Sequence, residues 1–276
     1  MENEVSDMNK WTKVCANIVM TCVMIWLFIP LAATVIYSLF EDWTGIIPSG
    51  FTLQNYITIF SNQKFLVAIY QTILLCIVPI ILTIVLVLLA LFVVTIYFPN
   101  LEKYLQILCM IPYTIQGVIL SVSILSLYGK SGTVLGERMV MLIGAYCIII
   151  LPHIYQGIRN SMHAVNMPML LEAADMLGAS KLYAFFRVIV PNIITGITVS
   201  SLLAVGILFG DYVIIRNLSG SGTTNVQVFL YQTMKYSSAE SSAVFVVIML
   251  MTFAITALVL FLQSRNKLEK IQKEGR

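Results

Sequence analysis

The chain has 276 residues, of which 59% are hydrophobic and 11% charged, with a formal net charge of +3 and a mean hydropathy of +0.92. Soluble domains carry about 25% charged residues, so the composition excludes a water-soluble globular protein and identifies an integral membrane protein. A net charge this small gives no reason to expect nucleic acid as a partner; the distribution of the basic residues is what informs.

A transmembrane helix needs about 20 apolar residues, and such stretches recur along the whole sequence. Residues 1–12 are polar and mixed in charge. The first predicted span covers about residues 14–40, flanked by Lys10 and Lys13. It is too long for a signal-peptide core and has no small-residue cleavage site, so an uncleaved helix is expected. Pro30 removes one helical hydrogen bond there and predicts a kink. Residues 41–64 read as a polar loop, whose Phe51, Tyr56 and Phe60 suit a membrane interface, where aromatic rings are favoured. The second span is about 66–98, with Pro79 inside it. A short turn, Pro99 to Lys103, leads into the third, about 104–128. In the next loop Gly129-Lys130-Ser131 matches the end of a nucleotide-binding P-loop. That motif needs a glycine five residues earlier, and position 124 is Ile. The match fails, and no ATP site is expected in this chain. The fourth span is about 139–158, the fifth about 188–215 and the sixth about 242–262. Residues 216–241 read as a polar loop, and 263–276 as a charged tail.

The five cysteines, Cys15, Cys22, Cys76, Cys109 and Cys147, fall within predicted spans and show no metal-ligand spacing. They read as small apolar core residues without disulfides. His153 and His163 are too far apart to share a helical face as i, i+4 ligands, so no metal site is expected.

The segment from Glu172 to Pro191 is the only long interior stretch that mixes charges, small residues and a central glycine. Pro168 fits the first turn of a helix, and residues 168–177 are all helix-tolerant. Gly178 stops that helix by taking the left-handed conformation without a Cβ clash. Ser180 caps a second helix, in which Leu182, Phe185, Phe186 and Ile189 form one apolar face. The result is a helix–glycine–helix elbow over residues 165–187.

Glu172-Ala173-Ala174, Gly178, Val188 and Val190-Pro191 follow the spacing EAA-x3-G-x9-I-x-L-P, with valines in place of Ile and Leu. This resembles the EAA loop of the permease subunits of binding-protein-dependent ABC importers, the MetI-like superfamily. The likeness extends to Gly50-Phe51-Thr52 with Asn55-Tyr56, and to Phe209-Gly210-Asp211-Tyr212. Within the superfamily the chain is most similar to half-size permeases for polyamines and for 2-aminoethylphosphonate. The resemblance implies an all-α membrane protein: one transmembrane domain over 1–276, six transmembrane helices, and a cytoplasmic coupling elbow between helices 4 and 5.

It also implies roles. Glu172, Ala173, Ala174, Asp175, Leu177 and Gly178 would contact an ATPase subunit, with Glu172 paired to a basic residue there. Met167, Met169, Leu170, Leu171, Met176 and Leu177 would offer apolar contact, either to that subunit or to the chain's own helices. The implied partners are two ATPase subunits, a second permease or a copy of this chain, and an extracytoplasmic solute-binding protein. ATP and Mg would be bound by the ATPase; no cofactor and no catalytic residue are expected in this chain.

Six spans put both termini on one side. With the N-terminus inside, Lys10, Lys13, Lys103, Arg159, Lys181, Arg187, Arg265, Lys267, Lys270, Lys273 and Arg276 are cytoplasmic, against Lys64, Lys130, Arg138, Arg216 and Lys235 outside. This agrees with the positive-inside rule and predicts a multi-pass protein of the bacterial cytoplasmic membrane with a cytoplasmic elbow. Ionisable residues inside spans are costly and usually functional, and Asp211 stands out for that reason. Gln116, Ser121, Ser200 and Asp211 are the candidate polar lining of a substrate path. A lone acid such as Asp211 suits an amine-bearing solute. The alternative, a stand-alone secondary transporter or channel, leads one to expect ionisable groups or broken helices near the bilayer midplane.

Overall fold

In the computed structural model, which describes residues 2–42, 49–115, 117–130, 132–220 and 223–274, helices dominate and the longest carry the apolar runs. Trp43, Pro48, Gln116, Ser131 and Arg276 lie outside the described residues. The helices in chain order are α1 (Glu2–Ser38), α2 (Gln54–Ser61), α3 (Gln63–Tyr97), α4 (Glu102–Met110), α5 (Gly117–Tyr128), α6 (Arg138–Ala164) and α7 (Met167–Met176). They continue with α8 (Lys181–Ala184), α9 (Val190–Asn192), α10 (Ile194–Phe209), α11 (Val213–Ser219), α12 (Val226–Thr233) and α13 (Ser238–Glu274). Four of these helices are long and apolar enough to cross a membrane alone, and there are six such segments if each of two bent helix pairs, 99–114 with 117–128 and 181–192 with 194–209, is taken as one span. The described chain groups into two compact units, residues 1–62 with 230–249 and residues 63–229 with 250–276.

In the first unit, the segment expected to be a loop is ordered. Strands β1 (Phe40–Asp42) and β2 (Ser49–Phe51) pair antiparallel, Phe40 opposite Phe51. The two rings meet edge to face at 6.0 Å. Asn55 explains how α2 folds back: its Nδ2 donates to the carbonyls of Ser38 and Phe40, at 3.0 and 3.2 Å. The Ser38 carbonyl is one left free where α1 ends. Tyr56 Oη and Ser38 Oγ lie 2.6 Å apart, so Tyr56 is tied to α1, whereas Phe51 and Phe60 are exposed as an interface role requires. Cys15 and Cys22 sit exposed on α1, and only Cys76 and Cys109 are buried as core residues.

The second unit is built around α6. Leu142, Ala145, Tyr146, Ile150, Ile154 and Ile158 are fully buried along it, a stripe at helical spacing facing α3 and α10. In a membrane the lipid is as apolar as the core, so close packing rather than water exclusion holds such helices together. Gly157 and Gly196 permit that packing. A Cβ on Gly157 would come within 2.9 Å of Ser200 Oγ, and one on Gly196 within 3.0 Å of the Gly157 carbonyl. Gly206, by contrast, has open space around it.

Two predicted spans are not continuous helices. The third breaks after α4 into a 3₁₀ turn, Ile111–Thr114, and Ile115 is extended. Pro112 is the cause, since it supplies no N–H to continue the ladder. The fifth begins in a π-helical turn, Phe185–Ile189, where the Val190 N–H reaches back to the Phe185 carbonyl. Pro191 follows, and the chain bends by 65° before α10. Widening the turn ahead of a proline relieves the crowding of its ring against the preceding carbonyls. That span also ends early: α10 stops at Phe209, and α11 starts at Val213. The region 216–241, expected to be loop, contains the end of α11, all of α12 and the start of α13.

Candidate functional site

The elbow forms where the sequence places it. Asn166 enters it in the left-handed conformation, φ 48° and ψ 60°, which asparagine tolerates better than most residues. Helix α7 then ends in a Schellman cap. The Gly178 N–H donates to the Asp175 carbonyl at 2.9 Å and the Ala179 N–H to Ala174 at 3.0 Å. Gly178 has φ +76°, which a side chain would strain. Ser180 Oγ accepts from the Tyr183 N–H at 3.3 Å and caps α8.

The second arm fixes the elbow to the membrane helices. Phe185 is fully buried, with its ring centroid 5.1 Å from that of Phe92 on α3. Lys181 Nζ lies over the Tyr97 ring at 5.8 Å. The predicted four-residue apolar face is only half used: Phe185 and Ile189 are buried, but Leu182 and Phe186 are exposed.

The first arm divides its residues cleanly. Met167 and Ala174 are buried against the chain's own helices. Glu172, Ala173, Asp175 and Gly178 are exposed. Met169, Met176 and Leu177 are 67%, 91% and 88% exposed. Residues 169, 173, 176 and 177 follow i, i+4, i+7, i+8, so they form one outward apolar stripe beside two carboxylates.

Behind the elbow sits an ion pair that sequence reasoning missed. Glu102 Oε1 accepts from Arg159 Nε at 2.9 Å, and His163 Nε2 lies 3.6 Å away. It ties the start of α4 to the end of α6. The signal was available: both residues flank spans predicted to end on the same side.

The predicted path residues have definite places. Gln116 lies outside the described residues. Ser121 is buried, donating to the Val118 carbonyl at 2.9 Å and accepting from Asn217 Nδ2 at 2.8 Å. Ser200 is buried at the α6–α10 crossing, bonded to the Gly196 and Ile197 carbonyls. Asp211 caps α11, accepting from the Ile214 and Ile215 N–H groups at 3.2 Å and from Tyr146 Oη at 2.9 Å. Its own carbonyl accepts from Asn225 Nδ2 at 2.7 Å. Asp211 therefore organises the unwound segment between α10 and α11. Asp211→Ala is expected to destabilise the protein by about 1–3 kcal/mol, because it strands the buried Tyr146 hydroxyl and uncaps α11. A melting curve of the purified protein in detergent checks this; an unchanged midpoint would leave the cap without structural weight.

Beside the α6–α10 crossing lies an open groove of about 480 Å³, lined by Tyr113, His153, Gln156, Asn160 and Thr195 among others. Tyr113 Oη and His153 Nδ1 are 3.0 Å apart. Residues 153, 156, 157 and 160 follow i, i+3, i+4, i+7 on α6, a polar stripe readable in the sequence but not singled out there.

These observations define a helical membrane protein with an exposed elbow between its fourth and fifth apolar segments. Residues 98–267 match the family model described as the inner membrane component of binding-protein-dependent transport systems. The chain belongs to this family: it is a permease subunit of an ABC importer, a multi-pass membrane protein. It is 21% identical over 251 residues to PhnV of Salmonella typhimurium and of Salmonella choleraesuis, with 91% of each chain covered. Those proteins carry the provisional name 2-aminoethylphosphonate transport system permease protein. The fold matches a chain of a bacterial ABC transporter involved in the import of the acidic polysaccharide alginate. That match has a TM-score of 0.71 at 17% identity and covers 92% of this chain and 98% of that one.

Proposed function

We propose that the whole chain, 1–276, acts as one transmembrane domain that forms half of an ATP-driven import pathway, and that residues 165–187 couple it to the ATPase. The observation that carries this is the outward stripe of Met169, Ala173, Met176 and Leu177 beside Glu172, on a helix anchored from behind by Phe185. Methionine adapts to irregular grooves, and a carboxylate at the rim of such a stripe selects a basic counterpart. Two ATPase subunits bind ATP and Mg. Their closure draws two elbows together, and the pathway opens outward by differential contacts in two states. The second elbow comes from another permease or from a copy of this chain. An extracytoplasmic binding protein delivers the solute. Both termini and the elbow lie on the cytoplasmic side, as the distribution of basic residues favours. The solute is small and polar or charged, 2-aminoethylphosphonate or a polyamine; the Salmonella relatives support the first.

Glu172→Arg tests the coupling. Glu172 is exposed, so the variant is expected to insert normally and to lose most uptake and most co-purifying ATPase in mild detergent. Wild-type uptake with full ATPase recovery would remove Glu172 from the interface. Purification of the wild type as a homo-oligomer with no ATPase would instead overturn the coupling reading as a whole.

A further inference from the structure

The groove between α6 and α10 combines two features that lipid does not tolerate. Gln156 and Asn160 are exposed on α6 and have no hydrogen-bond partner among the described residues. Gln156 lies about 12 Å inside the helix end at Ala164, within the depth that a hydrocarbon core of about 30 Å reaches on a 27-residue helix. Unbonded side-chain amides at that depth face water or another protein surface, not acyl chains. The second feature is the break in span three. The 3₁₀ turn Ile111–Thr114, followed by the extended Ile115, interrupts the α-helical ladder and brings Tyr113 against His153 at the groove wall. At membrane depth, irregular backbone is tolerated where it is buried in protein or lines a watery cavity, and Tyr113 is 52% exposed.

The chemistry of the groove is one-sided. It offers a phenol, an imidazole, two amides and the hydroxyls of Ser161, Thr195 and Ser200, with Val199 and Leu203 as apolar wall. Among the described residues, no Asp, Glu, Lys or Arg lines it. A polycation is drawn into a cleft by carboxylates that focus negative potential along its walls. A solute of low net charge needs only hydrogen bonds, and the volume is that of a small-molecule site.

We propose that this groove is the solute-facing wall of the chain's half-pathway, and that it takes a solute of low net charge rich in hydrogen-bonding oxygens, such as a zwitterionic aminophosphonate, rather than a polycation such as spermidine. This rests on the importer reading and selects between the two solute classes that reading allows. It also moves the substrate contacts away from Ser121 and Asp211, which are engaged within the fold.

The test uses the assembled transporter in proteoliposomes, with the five native cysteines replaced by alanine and single cysteines introduced as Gln156→Cys, Asn160→Cys or Thr195→Cys. Ile81→Cys, exposed midway along α3 among apolar neighbours, is the lipid-facing control. Each is reacted with an anionic sulfonatoethyl and a cationic trimethylammonioethyl methanethiosulfonate, with rates normalised to those of a free thiol in solution. The groove positions are expected to react at least ten-fold faster than the control, with anion and cation rates agreeing within about three-fold. Groove rates as slow as the control would overturn the proposal and assign this face to a contact with the second subunit. A ten-fold preference for the cation would reveal carboxylates from the partner half and overturn the solute class. Using Gln156 and Thr195 on facing helices keeps the test decisive if one variant fails to assemble. Failure of the importer reading is seen separately, as absence of the ATPase from the preparation.

Discussion

Gly196→Val is expected to give the largest loss of stability of any single change in the membrane helices, about 3 kcal/mol or more. Here α10 crosses α6 backbone to backbone. A Cβ at position 196 would sit 2.6 Å from Ser161 Cβ and 3.0 Å from the Gly157 carbonyl oxygen. Neither obstacle is the end of a flexible side chain, so the helices themselves must separate. Overpacking a well-fitted interior typically costs 1–3 kcal/mol, and a branched residue between two backbones belongs at the top of that range. The loss spreads, because Ser200 and Ile197 are buried in the same crossing. In detergent, the thermal midpoint is expected to fall by about 6 °C or more. Gly206→Ala is the matched control, since nothing lies within 4 Å of a Cβ there. It should be neutral or slightly stabilising, because alanine is the better helix former. A midpoint for Gly196→Val within a degree of the unmodified protein would mean that the two helices do not pack as described.

The double change Met176→Asp with Leu177→Asp is expected to do the reverse, leaving the fold intact and abolishing transport. Both side chains are almost fully exposed in the isolated chain, at 91% and 88%, and neither supports the Schellman cap, which is made of backbone groups. Surface changes of this kind shift stability by about 0.5 kcal/mol or less. At a docking surface, an apolar anchor carries about 2 kcal/mol, which is roughly a thirty-fold change in affinity. The variant should therefore reach the membrane at normal levels and melt normally. It should lose its ATPase on purification and fall at least ten-fold in uptake. The same change at Met167, which is buried, should lower the melting point instead. Retained uptake in the double variant would remove the stripe from the coupling surface, and a collapsed melting point would show that the stripe packs inside.

The elbow was the most legible part of the chain because its information is local. A proline near the start of α7, a glycine at the left-handed position and a serine cap act within a few residues, and each appears in the structure where its chemistry requires. What locality could not supply was the division of its apolar residues. Met167 and Met169 look alike in sequence, yet one is 4% and the other 67% exposed, because only the packing of α7 under α6 decides which way the helix is turned.

The breaks in spans three and five were partly hidden for a different reason. Pro112 and Pro191 are visible in the sequence, but hydropathy windows average over them, and a proline within an apolar run fits a kink as well as a break. For Asp211 the hidden part is its set of partners. A lone acid in a predicted span reads as a substrate contact by default. In the fold, two backbone N–H groups and a tyrosine hydroxyl from 65 residues away bond to it, and only the crossing of distant helices could bring that hydroxyl there.

The sequence by itself determined that this is a helical membrane protein with an elbow between its fourth and fifth apolar stretches, because hydropathy, helix caps and spacing are properties of contiguous residues; the permease family came from resemblance. Only the tertiary structure decided which polar residues remain open. Ser121 and Asp211 are taken up by partners 96 and 65 residues distant in the chain, while Gln156 and Asn160 are left facing a groove. The bilayer leaves no buried polar group unbonded without cost, so which of them are bonded depends on every helix neighbour at once.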